Sequence, residues 1–262
     1  CQIYRGCTIA FCEGLRHIVK NLKESKTTIL LGVPLILEAM YKRIWDQAFK
    51  DPKLLKKLKL GLKISKTLEA VGIDIRRKLF KTIIENFGGE IRMFISGGAA
   101  IDPQVVQGFQ DFGIHCVQGY GLTECSPIIA LNRDCDYNNA SAGLPVPNTE
   151  IRIDNPNEEG IGEIIAKGPN IMLGYYENDE ATREAIVDGW FHTGDLGYMD
   201  KDKFVYITGR KKNVIVTKNG KNIYPEEIET LLNRSPYVAE CLVYGKEGMG
   251  TGEVDVAADI YP

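Results

Sequence analysis

The chain has 262 residues, 44% of them hydrophobic and 26% charged, a composition typical of a folded globular protein with more than one domain. Its formal net charge of −3 gives no overall basic field, which argues against nucleic-acid binding driven by whole-chain charge. No apolar run approaches the ~20 residues of a membrane span, and the 7 cysteines form no regular framework. We therefore predict a cytoplasmic protein with reduced thiols.

The two ends of the sequence predict an internal fragment of a longer protein. The chain starts at Cys1, without an initiator methionine, in what reads as a loop followed by a short strand. It stops at Pro262, directly after another strand-like run.

Helical patterns surround one short strand in the first ninety residues. Apolar residues recur at helical spacing from Leu15 to Leu22, the run 27–33 predicts a buried strand, and Pro34 opens the next helix. A lysine-rich stretch, 50–66, precedes a helical pattern that ends near residue 87. These lysines predict either a solvated helical connector, which we favour, or a basic face with leucines beneath it that suits an anionic membrane surface.

Residues 91–119 predict a βαβ unit, with a strand at 91–98, a helix at 102–112 and a strand at 114–119. Such crossovers are almost always right-handed and make the two strands parallel. The loops that follow the strands, SGGAA and GYGLTE, should therefore meet at one edge of the sheet. That edge is where open α/β sheets bind ligands.

From about residue 128 the sequence changes to short strands separated by Gly, Pro, Asn and Asp, which predicts a small antiparallel barrel or sandwich. The segment 199–204 reads as a hairpin turn that places Asp195 across from about Ile207 and near Arg210. After this region, a strand, a helix at 224–235 and a further strand predict a compact α+β piece.

The stretch VQGYGLTECSP, 117–127, suits a nucleotide bound with its metal. Gly119 and Gly121 allow close approach of the backbone, and Tyr120 offers a planar face to a base. Thr123 supplies a hydroxyl to a phosphate, whereas Glu124 would repel a phosphate unless a cation such as Mg²⁺ stood between them. A glycine turn followed by an ordinary helix start explains the same residues.

Several other nucleotide and catalytic motifs are excluded. Glu124 stands where the dinucleotide fingerprint needs a glycine or alanine, and the chain has no G-x-x-x-x-G-K-[ST] loop. The GDLG run lacks a kinase catalytic loop, and Ser96 lacks the glycine of a nucleophile elbow. The three histidines are far apart in sequence and are interpreted as structural.

Five motifs in order decide between these interpretations: ISGGAAI, QGYGLTE, GEIIAKGPNIMLGYY, GWFHTGDLG and ITGRKKNVIVTKNGKNIYPEEIE. Their order resembles that of the AMP-forming acyl-CoA synthetases, the adenylate-forming ligases, over essentially the whole chain. Within that family the sequence is most similar to bacterial long-chain fatty-acid–CoA ligases. The resemblance implies an enzyme that uses ATP with Mg²⁺ to activate a fatty acid as its acyl-adenylate and then transfers the acyl group to coenzyme A.

The resemblance also implies which residues bind the nucleotide. Thr123 would hold the α-phosphate and Glu124 would bind Mg²⁺. Asp195 would take the ribose hydroxyls, reinforced by Arg210, with Ile207 beside them. The adenine pocket is implied at Gly97, Gly98, Ala99, Gln118, Gly119, Tyr120 and Gly121.

For the second half-reaction, the resemblance implies that the C-terminal domain rotates about Lys212 as a hinge. Gly220 and Lys221 lie in the loop 218–222, which would then meet the pantetheine arm of coenzyme A. At Asn213 the sequence departs from the acidic residue of many relatives. The acyl pocket is implied near the GVP run, 32–34, although these residues suit a plain core equally well.

The implied fold class is α/β. The chain would hold the later half of the large N-terminal domain, as an α/β part at 1–140 and a small β-barrel at 141–209, and the start of a small α+β C-terminal domain at 210–262. A phosphate loop and a late lysine of the family are not found, so we expect the chain alone to be inactive. Another adenylate-forming ligase, for aryl or amino acids, and a non-catalytic nucleotide-binding homologue stay open as alternatives, and so does the oligomeric state.

Overall fold

The computed structural model describes residues 4–217, 221–235, 237–247 and 254–262. The chain divides into two compact units, which are described separately. Unit 1 consists of Cys1–Gly119 and Asn132–Asn139, and unit 2 of Tyr120–Leu131 and Ala140–Pro262. The three-part division expected from the sequence stays a prediction.

Unit 1 is an α/β structure in which helices surround three parallel strands. Its elements are α1 (Ile18–Ser25), β1 (Ile29–Gly32), α2 (Pro34–Lys50), α3 (Pro52–Glu69), α4 (Arg76–Leu79), α5 (Lys81–Asn86), β2 (Met93–Ser96), α6 (Pro103–Asp111) and β3 (His115–Tyr120), whose last residue belongs to unit 2. β1 and β3 each pair in parallel with β2, which confirms the predicted βαβ unit. Its core contains Leu37, Phe94, Phe109 and Ile114, all fully buried.

Local sequence explains where two of these helices begin. Asp51 and Asp102 each precede a proline, and each carboxylate accepts a hydrogen bond from the backbone N–H two residues later, at 2.9 Å. An aspartate cap followed by proline in the first turn is a strong start signal, because proline has no N–H to leave unsatisfied there. Residues 52–66 of the lysine-rich stretch therefore lie in one continuous helix, α3, which buries Leu58, Gly61 and Ser65, whereas Lys50 ends α2.

The strand predicted as buried at 27–33 is half exposed, and that prediction was wrong. In β1, Leu30 packs against the core while Leu31 is 59% exposed. Side chains of a strand alternate between the two faces of its sheet, and the described residues of unit 1 bury only one face at this strand. A continuous apolar run cannot distinguish a strand buried on both faces from one buried on a single face.

Unit 2 is built on an antiparallel sheet. Its elements are β4 (Ala130–Leu131), β5 (Leu144–Pro145), β6 (Glu150–Asp154), β7 (Gly162–Lys167), α7 (Asp179–Ala185), β8 (Ile186–Val187), β9 (Trp190–Met199), β10 (Val205–Arg210), β11 (Ile215–Val216), β12 (Asn222–Ile223), α8 (Pro225–Leu232), β13 (Glu240–Glu247) and β14 (Val254–Tyr261). The main sheet has the order β10-β9-β7-β6, with β8 paired to β9. β13 and β14 form a separate antiparallel pair.

The hairpin between β9 and β10 turns where the sequence predicted, but its register differs from the expected one. Val205 pairs with Met199 and Ile207 with Gly197, and an irregularity after Ile207 then brings Arg210 directly opposite Asp195. The placement of Asp195 across from Ile207 was therefore wrong. With a tight turn at residues 200–204, Ile207 pairs with Gly197, and Asp195 lies two residues farther from the turn. The proximity of Asp195 to Arg210 is confirmed.

Among the residues that the structure describes, no helix has both the length and the apolar character needed to cross a membrane.

Candidate functional site

Three predicted nucleotide residues meet in unit 2. The Tyr120 hydroxyl donates a hydrogen bond to Oδ2 of Asp195 at 2.7 Å, and Nε of Arg210 lies 2.9 Å from Oδ1 of the same carboxylate. Asp195 is only 6% exposed. Both oxygens of the predicted ribose-binding carboxylate are thus already engaged within the protein.

Burial dominates the electrostatics of this cluster. It raises the pKa of Asp195, and the opposing effects of the Tyr120 hydroxyl and the Arg210 guanidinium do not cancel this rise. Burial and the neighbouring carboxylate also raise the pKa of Tyr120 far above its usual range. The Tyr120 hydroxyl therefore keeps its proton and acts as a donor near neutral pH.

Asp195 lies in a bulge of β9, residues 193–195, which we call the bulge segment. On β7 only one residue separates Glu163 from Ile165, whereas three separate their partners, Leu196 and His192, on β9. The middle residue, Gly194, has a φ of +71°, a left-handed conformation that favours glycine. Such bulges re-aim a side chain beside a functional site.

Side-chain hydrogen bonds replace the missing ladder bonds of the bulge segment. The Thr193 hydroxyl donates to the carbonyl of Ile164 at 2.7 Å, and its oxygen accepts from the backbone N–H of Asp195 at 3.1 Å. The N–H of Gly194 donates to Oε1 of Glu163 at 3.0 Å. These bonds set where the Asp195 carboxylate points.

Glu163 is a further buried carboxylate of this region, with 8% of its surface exposed. Its Oε2 lies 2.9 Å from Nζ of Lys211 and 3.2 Å from Nδ1 of His192. Burial alone would raise its pKa, but the hydrogen bonds from Lys211, His192 and the Gly194 N–H outweigh it and hold the pKa below its usual value. Glu163 therefore stays ionised at neutral pH.

The residues after Tyr120 form a tight loop that includes one turn of 3₁₀-helix, Thr123–Cys125. A Cβ atom at Gly121 would lie 1.8 Å from the backbone oxygen of Pro127, so the chain itself requires this glycine. The Asn170 side chain anchors the loop by donating to the carbonyls of Cys125 and Ile128, at 3.1 and 3.0 Å.

Glu124, the predicted Mg²⁺ ligand, is half-buried, and its Oε1 accepts a hydrogen bond from the Tyr175 hydroxyl at 3.0 Å. Thr123 beside it is exposed. One oriented carboxylate next to an exposed hydroxyl fits Mg²⁺, which proteins commonly hold through one or two carboxylates together with substrate phosphates. This role of Glu124 stays a prediction.

The remaining predicted adenine residues lie in unit 1, at the ends of β2 and β3. Gly97 donates from its N–H to the carbonyl of Gly32 at 3.1 Å, and Gly98 has a φ of +89°. Oε1 of Gln118 accepts from the N–H of Ile101 at 3.2 Å. The loop after β2, which contains Ala99, therefore lies next to the end of β3, where Gly119 follows Gln118, as the parallel arrangement predicts.

The predicted hinge residue, Lys212, lies between two anchored neighbours. Lys211 is held by Glu163, while Nδ2 of Asn213 donates to Oε1 of Glu226 at 2.8 Å. Lys212 is exposed, and the structure records no ion pair between it and any described residue. A pocket of about 330 Å³ is lined by Gly194, Arg210, Lys211 and Lys212.

The loop expected to meet coenzyme A lies mostly outside the described residues. Gly220 is among those not described. Lys221 is exposed, and its N–H donates to the Thr217 hydroxyl at 3.2 Å. Of this loop, the structure thus describes Lys221 and Asn222.

Sequence reasoning missed Glu163, Glu226 and Tyr175. Glu163 had a usable signal, because it is the one acidic residue in the otherwise apolar run of β7, and a buried carboxylate there needs partners. Glu226 and Tyr175 have no such signal, since acidic residues in a first helical turn and tyrosines in loops are common.

Comparison with known proteins identifies the family. Residues 1–176 match the model of the AMP-binding enzymes. The chain is 30% identical over 250 residues to the long-chain-fatty-acid–CoA ligase FadD15 of Mycobacterium bovis, which covers 91% of the chain and 41% of that protein. It is 37% identical over 196 residues to a 2-succinylbenzoate–CoA ligase of Bacillus cytotoxicus, over 71% of the chain and 40% of the relative.

A solved structure with a similar fold is the O-succinylbenzoate coenzyme A synthetase of Bacillus subtilis in complex with ATP and a magnesium ion. It has a TM-score of 0.70 and 25% identity, and the match covers 99% of this chain and 47% of that one. This chain belongs to the AMP-binding enzyme family. It spans about two fifths of the length of the two curated relatives described above.

Proposed function

We propose that the chain carries the nucleotide site of an ATP-dependent acid–thiol ligase. A carboxylate attacks the α-phosphorus of ATP to give an acyl-adenylate and pyrophosphate. The thiol of coenzyme A then displaces AMP, forming the thioester and releasing the thiol proton. The observation that carries this proposal is the Tyr120–Asp195–Arg210 cluster, in which Tyr120 and Asp195 are buried and Asp195 lies on a bulge held by side-chain hydrogen bonds.

Each residue of the cluster has a defined task in this proposal. Asp195 accepts hydrogen bonds from the ribose hydroxyls, and Arg210 keeps its carboxylate ionised and oriented. Tyr120 presents its ring to adenine and restrains Asp195 through its hydroxyl. Thr123 holds the α-phosphate, which aligns the phosphorus with the attacking oxygen. Mg²⁺ bound at Glu124 would neutralise charge on the phosphates.

The substrate proposed is a fatty acid, in particular a long-chain one. Support comes from the relatives named as long-chain-fatty-acid–CoA ligases and from the motifs of the sequence. An aryl acid is the second candidate, because the 2-succinylbenzoate–CoA ligase of Bacillus cytotoxicus shares 37% identity over 196 residues. Acid-dependent pyrophosphate exchange by the gene product that carries this chain, over fatty, aryl and amino acids, decides between them.

Nucleotide binding tests the site directly. In this chain Asp195→Ala should weaken AMP binding by about 1.5–3 kcal/mol, the range for hydrogen bonds to a charged group. Isothermal titration calorimetry measures this change in AMP affinity. Glu150→Ala, which removes an exposed carboxylate from β6, is the control variant. Equal affinities for both variants would refute the role of Asp195. AMP binding without exchange in the parent gene product would identify a non-catalytic homologue.

The hinge has its own test in the parent gene product. Lys212→Pro should leave acyl-adenylate formation intact and slow thioester formation, because proline fixes the φ angle about which the domain would turn. Single-turnover measurements separate the two half-reactions. Equal loss of both would contradict the hinge.

A second candidate role for α3, beside the solvated connector that we favour, is contact with an anionic membrane surface, where a fatty acid would dissolve. The outward face of α3 exposes Leu60 and Ile64, at 55% and 42%. Lys66 of α3 pairs with Asp111 at 2.8 Å, and no ion pair with a described residue is recorded for the other lysines of this helix. Vesicle sedimentation tests this: phosphatidylglycerol vesicles should pellet the chain and phosphatidylcholine vesicles should not. Lys56→Gln with Lys63→Gln should reduce pelleting, whereas Lys201→Gln with Lys203→Gln in the β9–β10 turn should not. Unchanged pelleting in the α3 variant would leave α3 a solvated connector.

A further inference from the structure

We propose that Glu163 is a positioning residue with two roles. It holds the bulge segment in place, and it anchors Lys211, the residue before the predicted hinge, to β7. These roles rest on the proposed function of Asp195 and Lys212, but the contacts that support them do not depend on a ligand. Glu163 itself would touch neither nucleotide nor acid. It would act through Gly194 on one side and Lys211 on the other.

The geometry of the bulge explains the contact between Glu163 and Gly194. With two extra residues on β9, the N–H of Gly194 faces a side chain and finds its acceptor in Glu163, 3.0 Å away. This N–H belongs to the Thr193–Gly194 peptide, which directly precedes the peptide between Gly194 and Asp195, and the N–H of Asp195 is itself held by the Thr193 hydroxyl oxygen. Losing the acceptor would free the Thr193–Gly194 peptide to rotate, and through the adjoining peptide this would change the direction of the Asp195 carboxylate. A buried N–H without a partner is costly, which makes the held arrangement the stable one.

The ion pair with Lys211 is the contact through which Glu163 anchors the chain before the predicted hinge. Oε2 of Glu163 lies 2.9 Å from Nζ of Lys211, and the carboxylate is buried while the lysine is 63% exposed. This contact fixes the chain to β7 one residue before Lys212. Beyond the hinge, Asn213 is bonded instead to Glu226 on α8. The contact of Lys211 with β7 and the contact of Asn213 with α8 thus flank one exposed residue, while Oε1 of Glu226 also accepts from the N–H of Arg210 at 3.4 Å.

The two contacts use different oxygens of the same carboxylate, and this makes them separable by substitution. Glu163→Gln keeps an oxygen that can accept from Gly194 but removes the charge that pairs with Lys211. Glu163→Ala removes both contacts. A residue that merely fills space in the sheet would show no such difference.

Two measurements on the ligand-free chain test the proposal. Hydrogen exchange at the Gly194 amide should become about tenfold faster or more in Glu163→Ala and stay close to wild type in Glu163→Gln. Labelling with an amine-reactive ester should raise the ratio of modified Lys211 to modified Lys212 about two- to fivefold in both variants. Lys212 is the internal reference, and Glu150→Ala, an exposed glutamate on β6, is the control for loss of a carboxylate.

Binding of AMP then connects the contacts to the proposed function. Affinity should fall about tenfold in Glu163→Ala and much less in Glu163→Gln, because only the first releases the bulge segment. Unchanged Gly194 exchange in Glu163→Ala, or equal acceleration across β6, β7, β9 and β10, overturns the positioning role. If Glu163→Ala does not fold, an unchanged Lys211 to Lys212 ratio in Glu163→Gln overturns the anchor. Absence of AMP binding by the wild-type parent gene product refutes the proposed function instead, and the exchange and labelling results still decide on Glu163.

Discussion

Replacing Tyr120 with phenylalanine should destabilise the protein although it removes a single oxygen atom. That oxygen donates to Asp195 at 2.7 Å, and Tyr120 and Asp195 are only 7% and 6% exposed, so water cannot replace the lost bond. A hydrogen bond to a charged group contributes about 1.5–3 kcal/mol, and the ring packing is unchanged in phenylalanine. We therefore expect the free energy of unfolding to fall by about 1.5–3 kcal/mol.

Urea unfolding of the chain, followed by far-ultraviolet circular dichroism, measures this change. Tyr198→Phe is the matched control, because that ring is 37% exposed and no hydrogen bond of its hydroxyl with a described residue is recorded. It should change the free energy by less than about 0.5 kcal/mol. If the two variants were equally stable, the buried bond would contribute nothing and the reasoning would be refuted.

The same variant carries a dependence on pH. The Tyr120 hydroxyl lowers the pKa of Asp195, so its removal raises the pKa of that carboxyl further in the folded state. A carboxyl whose folded pKa is raised costs stability above that pKa and regains it as the pH falls. The deficit of Tyr120→Phe should therefore be largest at neutral pH and shrink as Asp195 becomes protonated. A deficit that grew on acidification would contradict the assignment.

Three further predictions concern the surroundings of the site. Gly121→Ala should lower the melting temperature, by an overpacking cost of about 1–3 kcal/mol, whereas Gly97→Ala, whose Cβ meets nothing within 4 Å, should not. The folded pKa of Glu163 is lowered, so its contribution to stability is present above its unfolded pKa and is lost as the pH falls through the folded pKa. Glu163→Gln should therefore weaken the loss of unfolding free energy at acidic pH. An unaltered loss in this variant would contradict the contribution of Glu163. Burial raises the pKa of the Cys116 and Cys125 thiols to about 12 and about 11, so a thiol reagent should modify them only after unfolding, and early modification of either would disprove their burial. The exposed described thiols, Cys7, Cys12 and Cys135, should react first.

The sequence predicted the βαβ unit well because several local signals agree there. Apolar runs, the capped helix start at Asp102 and the short connection all indicate the same arrangement. α7 was missed although Asn178 caps it and acidic residues fill its first turn, because its few apolar residues give no periodic pattern. Side-chain capping can thus start a helix that hydrophobic periodicity does not predict.

The site could be predicted as a set of residues but not as a geometry. The hairpin prediction placed Asp195 near Arg210, which is confirmed, and the structure adds the contact of Tyr120 with Asp195. The nucleotide-binding role of these three residues stays a prediction. The bulge of β9 could not be foreseen, because no local signal states how many residues of one strand oppose another. The contact of Glu163 with Gly194 follows from that count, and the register of Asp195 follows from the β9–β10 turn and the irregularity of β10 after Ile207, so sequence reasoning missed both.

The Tyr120 hydroxyl has a consequence for how a ligand would be received. With no nucleotide bound, this hydroxyl already donates a hydrogen bond to one oxygen of Asp195, so the buried carboxylate has a partner without a ligand. A ribose hydroxyl arriving there would exchange with, or share, an existing partner, and the net gain would be smaller than a count of new contacts suggests. Discrimination between ribose and 2′-deoxyribose nucleotides should accordingly be modest, because the Tyr120 hydroxyl can donate a hydrogen bond to the carboxylate in either case.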